Sequence, residues 1–181
     1  MNAPRSLRWL TAAAFAGLAI LATAQAALAA GNLEWGVKAT YLYKFFAFVD
    51  WPPGAMGPPG APLTLCVVGE DPFGALIDEQ GVGQQVADHP IQVRRLRTLS
   101  RGSGCQVLYI RKPEGQSVAE ALAAVAAEPV LTVTDGDGSL GVIQFRSIGG
   151  KIRFNIDQRV ATAKGLTLSS RLLAVAVKVR Q

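Results

Sequence analysis

Few side chains in this sequence are suited to catalysis or to metal binding. His89 is the only histidine among the 181 residues, so any Ser-His-Asp site would have to use it as the base. It directly precedes a predicted strand, and we expect it in a surface turn. The sequence contains no H-E-x-x-H motif and no Cys/His cluster. We therefore predict a protein with no catalytic residues, no metal and no cofactor.

Two loops have compositions that occur in ion or ligand sites. The Asp-Gly-Asp-Gly segment at 135–138 resembles the start of a calcium loop, but Ser-Leu-Gly at 139–141 does not continue that pattern. We expect a turn there. The loop from residue 69 to 74 lies between a predicted strand and helix, where a small-ligand crevice can form, although its two carboxylates disfavour a bound phosphate. Its candidate ligand-binding residues are Gly69, Glu70, Asp71 and Gly74.

The first thirty residues have the composition of a bacterial signal peptide. Arg5 and Arg8 give a positive start, residues 9–24 are apolar and uncharged, and small residues at 27 and 29 stand three and one positions before the expected cleavage site. The apolar stretch is shorter than the roughly 20 residues of a membrane span. Gly31 follows Ala30, where a lipoprotein would need a cysteine. We expect a leader over 1–29 and a periplasmic mature chain over 30–181 that forms one domain.

Composition limits the partners and the crosslinks of the mature chain. Without the leader the formal charge falls from +5 to about +3 and the basic residues are scattered, so nucleic-acid binding is disfavoured. Cys66 and Cys105 are the only cysteines, and two cysteines in an oxidising compartment usually pair. Such a bridge would stabilise the fold by up to about 4 kcal/mol. A redox switch formed by the same two thiols is the alternative.

The periodicity of apolar residues predicts an α/β fold with a central, largely parallel sheet flanked by helices. A helix is predicted over 36–50, a second one from Asp71, a third over 117–127, and two more after Asp157 and Ser169, the last running to about Val177. Buried or alternating strands are predicted at 63–68, 91–96, 105–110 and 130–133. A β-hairpin with one wet face is predicted over 142–156.

Two apolar segments contain more apolar residues than one buried face requires. The first predicted helix and the residues after it are rich in aromatic side chains, and the last predicted helix is mostly apolar. Ordinary core packing explains part of both segments. The remainder is expected to form surfaces that a partner covers. The candidate partner-binding residues are Tyr43, Phe48, Trp51, Arg171, Leu172 and Leu173.

Sequence blocks along the whole mature chain form one ordered series. The first half contains Ala-Thr-Tyr-Leu-Tyr-Lys-Phe at 39–45, Phe-Val-Asp-Trp-Pro at 48–52, Leu-Cys-Val-Val-Gly at 65–69 and Asp-Pro-Phe-Gly at 71–74. The second half contains Cys-Gln-Val-Leu-Tyr-Ile at 105–110, Pro-Val-Leu-Thr-Val-Thr-Asp at 129–135, Arg-Phe-Asn-Ile at 153–156 and Ser-Ser-Arg-Leu-Leu at 169–173. In this order the blocks resemble the YfiR family of small periplasmic proteins.

The resemblance implies a non-enzymatic repressor. Family members bind the periplasmic sensor domain of an inner-membrane diguanylate cyclase and hold the cyclase inactive, until redox or envelope stress releases it and cyclic di-GMP promotes biofilm formation. It also implies a homodimer. Cys66 and Cys105 match one cysteine pair of the family, whereas the second family pair, near the hairpin, is missing from this sequence. The alternative function is a periplasmic small-molecule-binding domain that feeds a receptor.

Overall fold

The computed structural model describes residues 33–136 and 140–181. The expected leader over 1–29 and residues 137–139 of the turn expected from the sequence lie outside the described residues. Residues 36–181 form one compact unit. Among the described residues, no helix has the length and apolar character that a bilayer span requires.

Five helices and ten strands make up the described part of the chain. The helices are α1 (33–45), α2 (Ala75–Gly81), α3 (Val118–Ala124), α4 (Gln158–Ala163) and α5 (Ser170–Val175). The strands are β1 (Val49–Asp50), β2 (Leu63–Gly69), β3 (Gln85–Val86), β4 (His89–Leu96), β5 (Val107–Arg111), β6 (Leu131–Asp135), β7 (Ile143–Ile148), β8 (Lys151–Asp157), β9 (Thr167–Leu168) and β10 (Lys178–Arg180).

Eight of these strands form one sheet in the order β10-β8-β7-β6-β5-β2-β4-β3. The five strands that are adjacent in the sheet as β4-β2-β5-β6-β7 are parallel to one another. β8 and β10 are also parallel, whereas β7 and β8 form an antiparallel hairpin. The predicted α/β fold and the predicted hairpin are therefore confirmed. β1 and β9 form a separate antiparallel ribbon that the sequence analysis did not predict.

Side chains alternate between the two faces of the sheet along each strand, and a different helix packs against each face. On one face, α3 packs against β2 and β5 through a cluster that includes Val68, Leu108 and Ile110. On the other face, the ring of Phe45 in α1 lies 5.5 Å from that of Phe154. The strands between the two helix layers are buried on both sides, as β2 and β5 show.

Helix starts follow the predicted caps, with one exception. Ser117 forms a capping box with Glu120 at the start of α3, and the side chains of Asp157 and Ser169 cap α4 and α5. The start predicted for the second helix is wrong. The carboxylate of Asp71 accepts hydrogen bonds from the next backbone N–H groups in a local turn, so that α2 begins only at Ala75.

Three further predictions are corrected by the structure. α1 ends at residue 45, and a short 3₁₀ turn leads into β1, because the backbone of residues 49 and 50 pairs with β9. α5 ends at Val175 and an edge strand follows it. His89 is not in a surface turn: it opens β4, is 7% exposed, and its Nδ1 lies 2.8 Å from the carbonyl oxygen of Ala61.

Candidate functional site

The two cysteines form a buried disulfide between β2 and the segment that leads into β5. The Cα atoms of Cys66 and Cys105 are 5.8 Å apart, and the residues are 0% and 5% exposed. Both belong to the apolar cluster beneath α3. A guanidinium nitrogen of Arg94 lies 3.6 Å and 3.7 Å from the two sulfur atoms. This burial keeps solvent thiols away from both sulfurs, which favours a structural role over a redox switch.

The predicted ligand loop is held closed by the loop that follows β5. Gly69 adopts a φ of +83°, and a Cβ there would lie 2.2 Å from the carbonyl oxygen of Arg111. The N–H of Glu70 donates to that same oxygen. Ion pairs with Lys112, at 3.1 Å, and with Arg111, at 3.4 Å, lower the pKa of the Glu70 carboxyl. The two backbones thus touch where a ligand would enter.

Arg95 neutralises the remaining charge of this loop. Its Nε lies 2.7 Å from the carboxylate of Asp71, and a second guanidinium nitrogen lies 2.6 Å from the carboxylate of Asp78. The same guanidinium donates to the carbonyl oxygen of Gly74. The polar groups of the predicted ligand site therefore bond to the protein itself. A small-ligand site at Gly69, Glu70, Asp71 and Gly74 stays a prediction, which these contacts disfavour.

A buried polar cluster lies at the carboxyl ends of β5 and β6. The ammonium of Lys38 lies 2.7 Å from the carboxylate of Asp135, to which the hydroxyl of Tyr109 also donates at 3.1 Å. Burial and the neighbouring carboxylate raise the pKa of Tyr109. Lys38 is only 3% exposed. The cluster fixes α1 to the sheet, because Lys38 and Asp135 come from distant elements and form an ion pair that is largely shielded from solvent.

Sequence analysis missed this cluster. Lys38 stands three, four and seven residues before Tyr41, Leu42 and Phe45, on the stripe of α1 that packs on the sheet. A lysine on an apolar stripe is a signal for a buried partner. The partner could not be named from the sequence, because it lies 97 residues away.

The β1–β9 ribbon brings the two predicted partner-binding segments together. Val49 pairs with Leu168, and the N–H of Ser169 donates to the carbonyl oxygen of Phe48 at 3.0 Å. Phe48, Trp51 and Leu173 are half-buried and Arg171 is exposed. These four residues, Phe48, Trp51, Arg171 and Leu173, are called the ribbon surface.

Two of the predicted partner-binding residues are not available to a partner. Tyr43 is 4% exposed, and its hydroxyl donates to the carbonyl oxygen of Ile77, 2.5 Å away, which ties α1 to α2. Burial, and then the charge of Asp78, raise the pKa of Tyr43 to about 12. Leu172 is 3% exposed. The expectation that these two side chains face outward is wrong, since both serve the core.

An open cavity lies between α3 and α4, over the sheet at β6, β7 and β8. Its volume is about 870 Å³, within the range of small-molecule sites. Its walls carry arginine side chains from three elements, Arg146, Arg159 and Arg180, and alanines from both helices. Nothing in the sequence analysis singled out these residues, because they are scattered over about 60 positions and no local pattern joins them.

A comparison with protein families decides which group of proteins this fold belongs to. The profile of the YfiR/HmsC-like family matches residues 36–177. The chain belongs to the YfiR/HmsC-like family. Its match covers α1 from residue 36 onward, the disulfide, the ribbon surface and α5, so the unit from residue 36 up to β10 follows the family pattern. The resemblance seen in the sequence blocks is thereby confirmed. A comparison with curated proteins found no match.

Proposed function

We propose that the mature chain is a periplasmic, non-enzymatic repressor that binds the periplasmic sensor domain of an inner-membrane diguanylate cyclase. Binding limits cyclic di-GMP synthesis and, through it, biofilm formation. The observation that carries this proposal is the match to the YfiR/HmsC-like family over residues 36–177.

A repressor of this kind needs a surface that binds the sensor domain and a higher affinity for the inactive form of that domain. It needs no reactive group. A partner that binds only the inactive form of a sensor shifts the sensor population toward that form. About 1.4 kcal/mol of differential affinity gives a tenfold shift. Lys38 and Tyr109 are buried and both bond to the carboxylate of Asp135, which is 13% exposed, so the three suit a structural role.

The ribbon surface is the part of the molecule that best suits a protein partner. It joins two aromatic side chains, an apolar one and an arginine on adjoining segments, and such side chains dominate the free energy of protein association. Val175 and Val177, which are 63% and 54% exposed, follow Leu173 along the chain. These two valines add exposed apolar side chains to the chain segment that follows the ribbon surface.

The first experiment measures binding of chain 30–181, with its disulfide intact, to the periplasmic domains of the host's membrane diguanylate cyclases. We expect tight binding to one of them. Trp51→Ala and Arg171→Ala should each weaken that binding about tenfold or more. The matched control Val82→Ala removes an apolar side chain that is 82% exposed and directly follows α2, outside the ribbon surface, and it should leave binding unchanged.

Two outcomes would count against the repressor. If no cyclase domain binds in either redox state, the repressor function is wrong. If binding is tight and both ribbon-surface variants bind like the unmodified chain, the partner uses another surface. The homodimer stays a prediction as well, which sedimentation equilibrium of the same sample tests.

Reduction adds a further arm to the experiment. Because both sulfurs are buried, we expect a mild thiol reductant to leave the bond and the binding unchanged over the time of the measurement. Loss of binding together with loss of the bond would instead assign a redox role to Cys66 and Cys105.

A second candidate is a periplasmic small-molecule-binding domain that feeds a receptor. One observation favours it, the cavity between α3 and α4. This cavity shares no residue with the ribbon surface, so a ligand and a protein partner need not exclude each other.

A further inference from the structure

The cavity between α3 and α4 has a floor made by the polar face of the hairpin. Along β7 the residues Ile143 and Phe145 are buried, whereas Gln144 and Arg146 alternate with them and line the cavity. The same alternation along β8 places Asp157 at the cavity, and in the parallel register Arg180 of β10 stands beside it. Strand periodicity therefore delivers charged groups from three adjacent strands to one side of the sheet.

The helices beside this floor are too small to cover it. α3 contributes Ala119, Leu122 and Ala123, and Ala126 follows in the turn after the helix; Ala119 and Ala123 are four residues apart and so share one helix face. α4 contributes Val160 and Ala163. Methyl groups leave space that leucine or phenylalanine would fill. The same helix α3 closes the sheet fully over β2 and β5, so the open space is a local property of its alanine face.

Lys164 fixes the two helices against each other at the back of the cavity. Its ammonium donates to the carbonyl oxygens of Val125, Ala126 and Glu128 at the C-terminal end of α3. Burial lowers the pKa of this lysine. The spacing of the walls is therefore set by a direct bond between α4 and the end of α3, as a preformed site requires.

The charge at the cavity is strongly positive. Its lining contains four cationic side chains, Arg146, Arg159, Lys164 and Arg180, and one carboxylate, Asp157. Asp157 lies 3.1 Å from Arg159 and 3.3 Å from Arg180, so it orients both guanidinium groups while balancing only one charge. The side chains of Arg159 and Arg180 are 59% and 61% exposed, and donors on both remain accessible from the mouth of the cavity.

We propose that this cavity binds a small organic anion. Its apolar body lies against the alanine wall of α3, and its carboxylate or phosphate group bonds to Arg146, Arg159 and Arg180. Guanidinium groups from separate strands suit such a head group, because each presents a planar fork of donors to oxygen atoms. An apolar ligand without charge would leave the excess positive charge of the cavity unbalanced.

The test uses the fluorescence of 8-anilinonaphthalene-1-sulfonate, an aromatic anion, with chain 30–181 in its folded, disulfide-bonded form. We expect saturable binding. Arg146→Gln and Arg180→Gln should each weaken it about tenfold, and Ala123→Phe should weaken it by filling the space. The control Lys151→Gln removes the same charge from the tip of the hairpin, about 20 Å along β8 from Asp157, and should change the affinity less than about twofold.

Three competitors of equal length identify the head group. Octanoate or octyl phosphate should displace the dye, and whichever displaces it better names the acid. 1-Octanol should not displace it. The proposal would be overturned by no dye binding to the unmodified chain, by an affinity of both arginine variants equal to that of the unmodified chain, or by displacement with 1-octanol as strong as that with octanoate. Circular dichroism of every variant shows that it is folded, and a second pair, Arg146→Lys and Arg180→Lys, keeps the charge if the Gln variants do not fold.

Discussion

The two faces of the β7–β8 hairpin are built from alternate residues of the same strands, yet one is closed and the other is open. On the closed face, the rings of Phe145 and Phe154 pack against Tyr41 and Phe45 of α1 at centroid distances of 5.5–6.2 Å. On the open face, neighbouring positions carry glutamine, arginine and aspartate beneath an alanine wall. One face of the hairpin therefore stabilises the fold, while the other face is open to a ligand.

The largest expected difference between the faces is in stability. Phe145 is fully buried between α1 and the sheet, so Phe145→Ala should lower the free energy of unfolding by about 3–5 kcal/mol. Its neighbour Gln144 points to the cavity, and Gln144→Ala should cost less than about 1 kcal/mol. Urea unfolding of both variants measures this. Similar losses for the two would mean that the open face is also part of the core.

The next test concerns the disulfide, which lies where α3 packs closely against β2 and β5. Replacing both cysteines, Cys66→Ala with Cys105→Ala, should lower the free energy of unfolding by up to about 4 kcal/mol, because the unfolded chain loses a closed loop. Thermal and urea unfolding of the double variant, beside the oxidised parent, give the value. A loss below about 1 kcal/mol would show that the bridge is not a main support of this half.

The ion pair between Lys38 and Asp135, beside the closed face of the hairpin, should have the next largest effect on the free energy of unfolding. Lys38→Met leaves the Asp135 carboxylate without its nearest cation, and Arg111 stays 3.9 Å away, so we expect a loss of about 3 kcal/mol. Adding Asp135→Asn removes the unbalanced charge and keeps an acceptor for the Tyr109 hydroxyl. The double variant should therefore regain stability in urea unfolding. A further loss would show that the carboxylate is stabilised by its other neighbours.

The smallest effect on the free energy of unfolding is expected at Asp157 on the open face, and this effect depends on pH. Arg159, and with it Arg180, lowers the pKa of the Asp157 carboxyl in the folded protein. A lowered folded pKa adds stability above the unfolded value of about 3.9, and that stability is lost as the pH falls through the folded pKa. Asp157→Asn keeps a helix cap and should cost about 1 kcal/mol at pH 7.

The pH profile distinguishes this origin of the loss from a packing defect. The difference in unfolding free energy between Asp157→Asn and the parent should shrink as the pH is lowered from 6 toward 2, because the parent carboxylate becomes neutral. A difference that stays constant across this range would contradict the role of the arginines.

Local patterns predicted most of the fold, and for a local reason. The caps at Ser117, Asp157 and Ser169 and the alternation around Phe154 depend on neighbours within a few residues, so they are visible in the sequence. The start of α2 was wrong because Asp71 bonds to its own loop before the helix begins. The site was less predictable. The sequence predicts Tyr43 and Leu172 as exposed, but both are buried, because the apolar pattern alone does not show which of the surplus apolar side chains packs into the core.

Residue types and short spacings are enough to predict the α/β fold with its main strands and helices, the scarcity of bases and metal ligands, and the resemblance to the YfiR family. They do not show that β1 pairs with β9, that Lys38 pairs with Asp135 across 97 residues, or that three arginines line one cavity. These contacts depend on which strands become neighbours in the sheet, and that is set by packing of the whole chain.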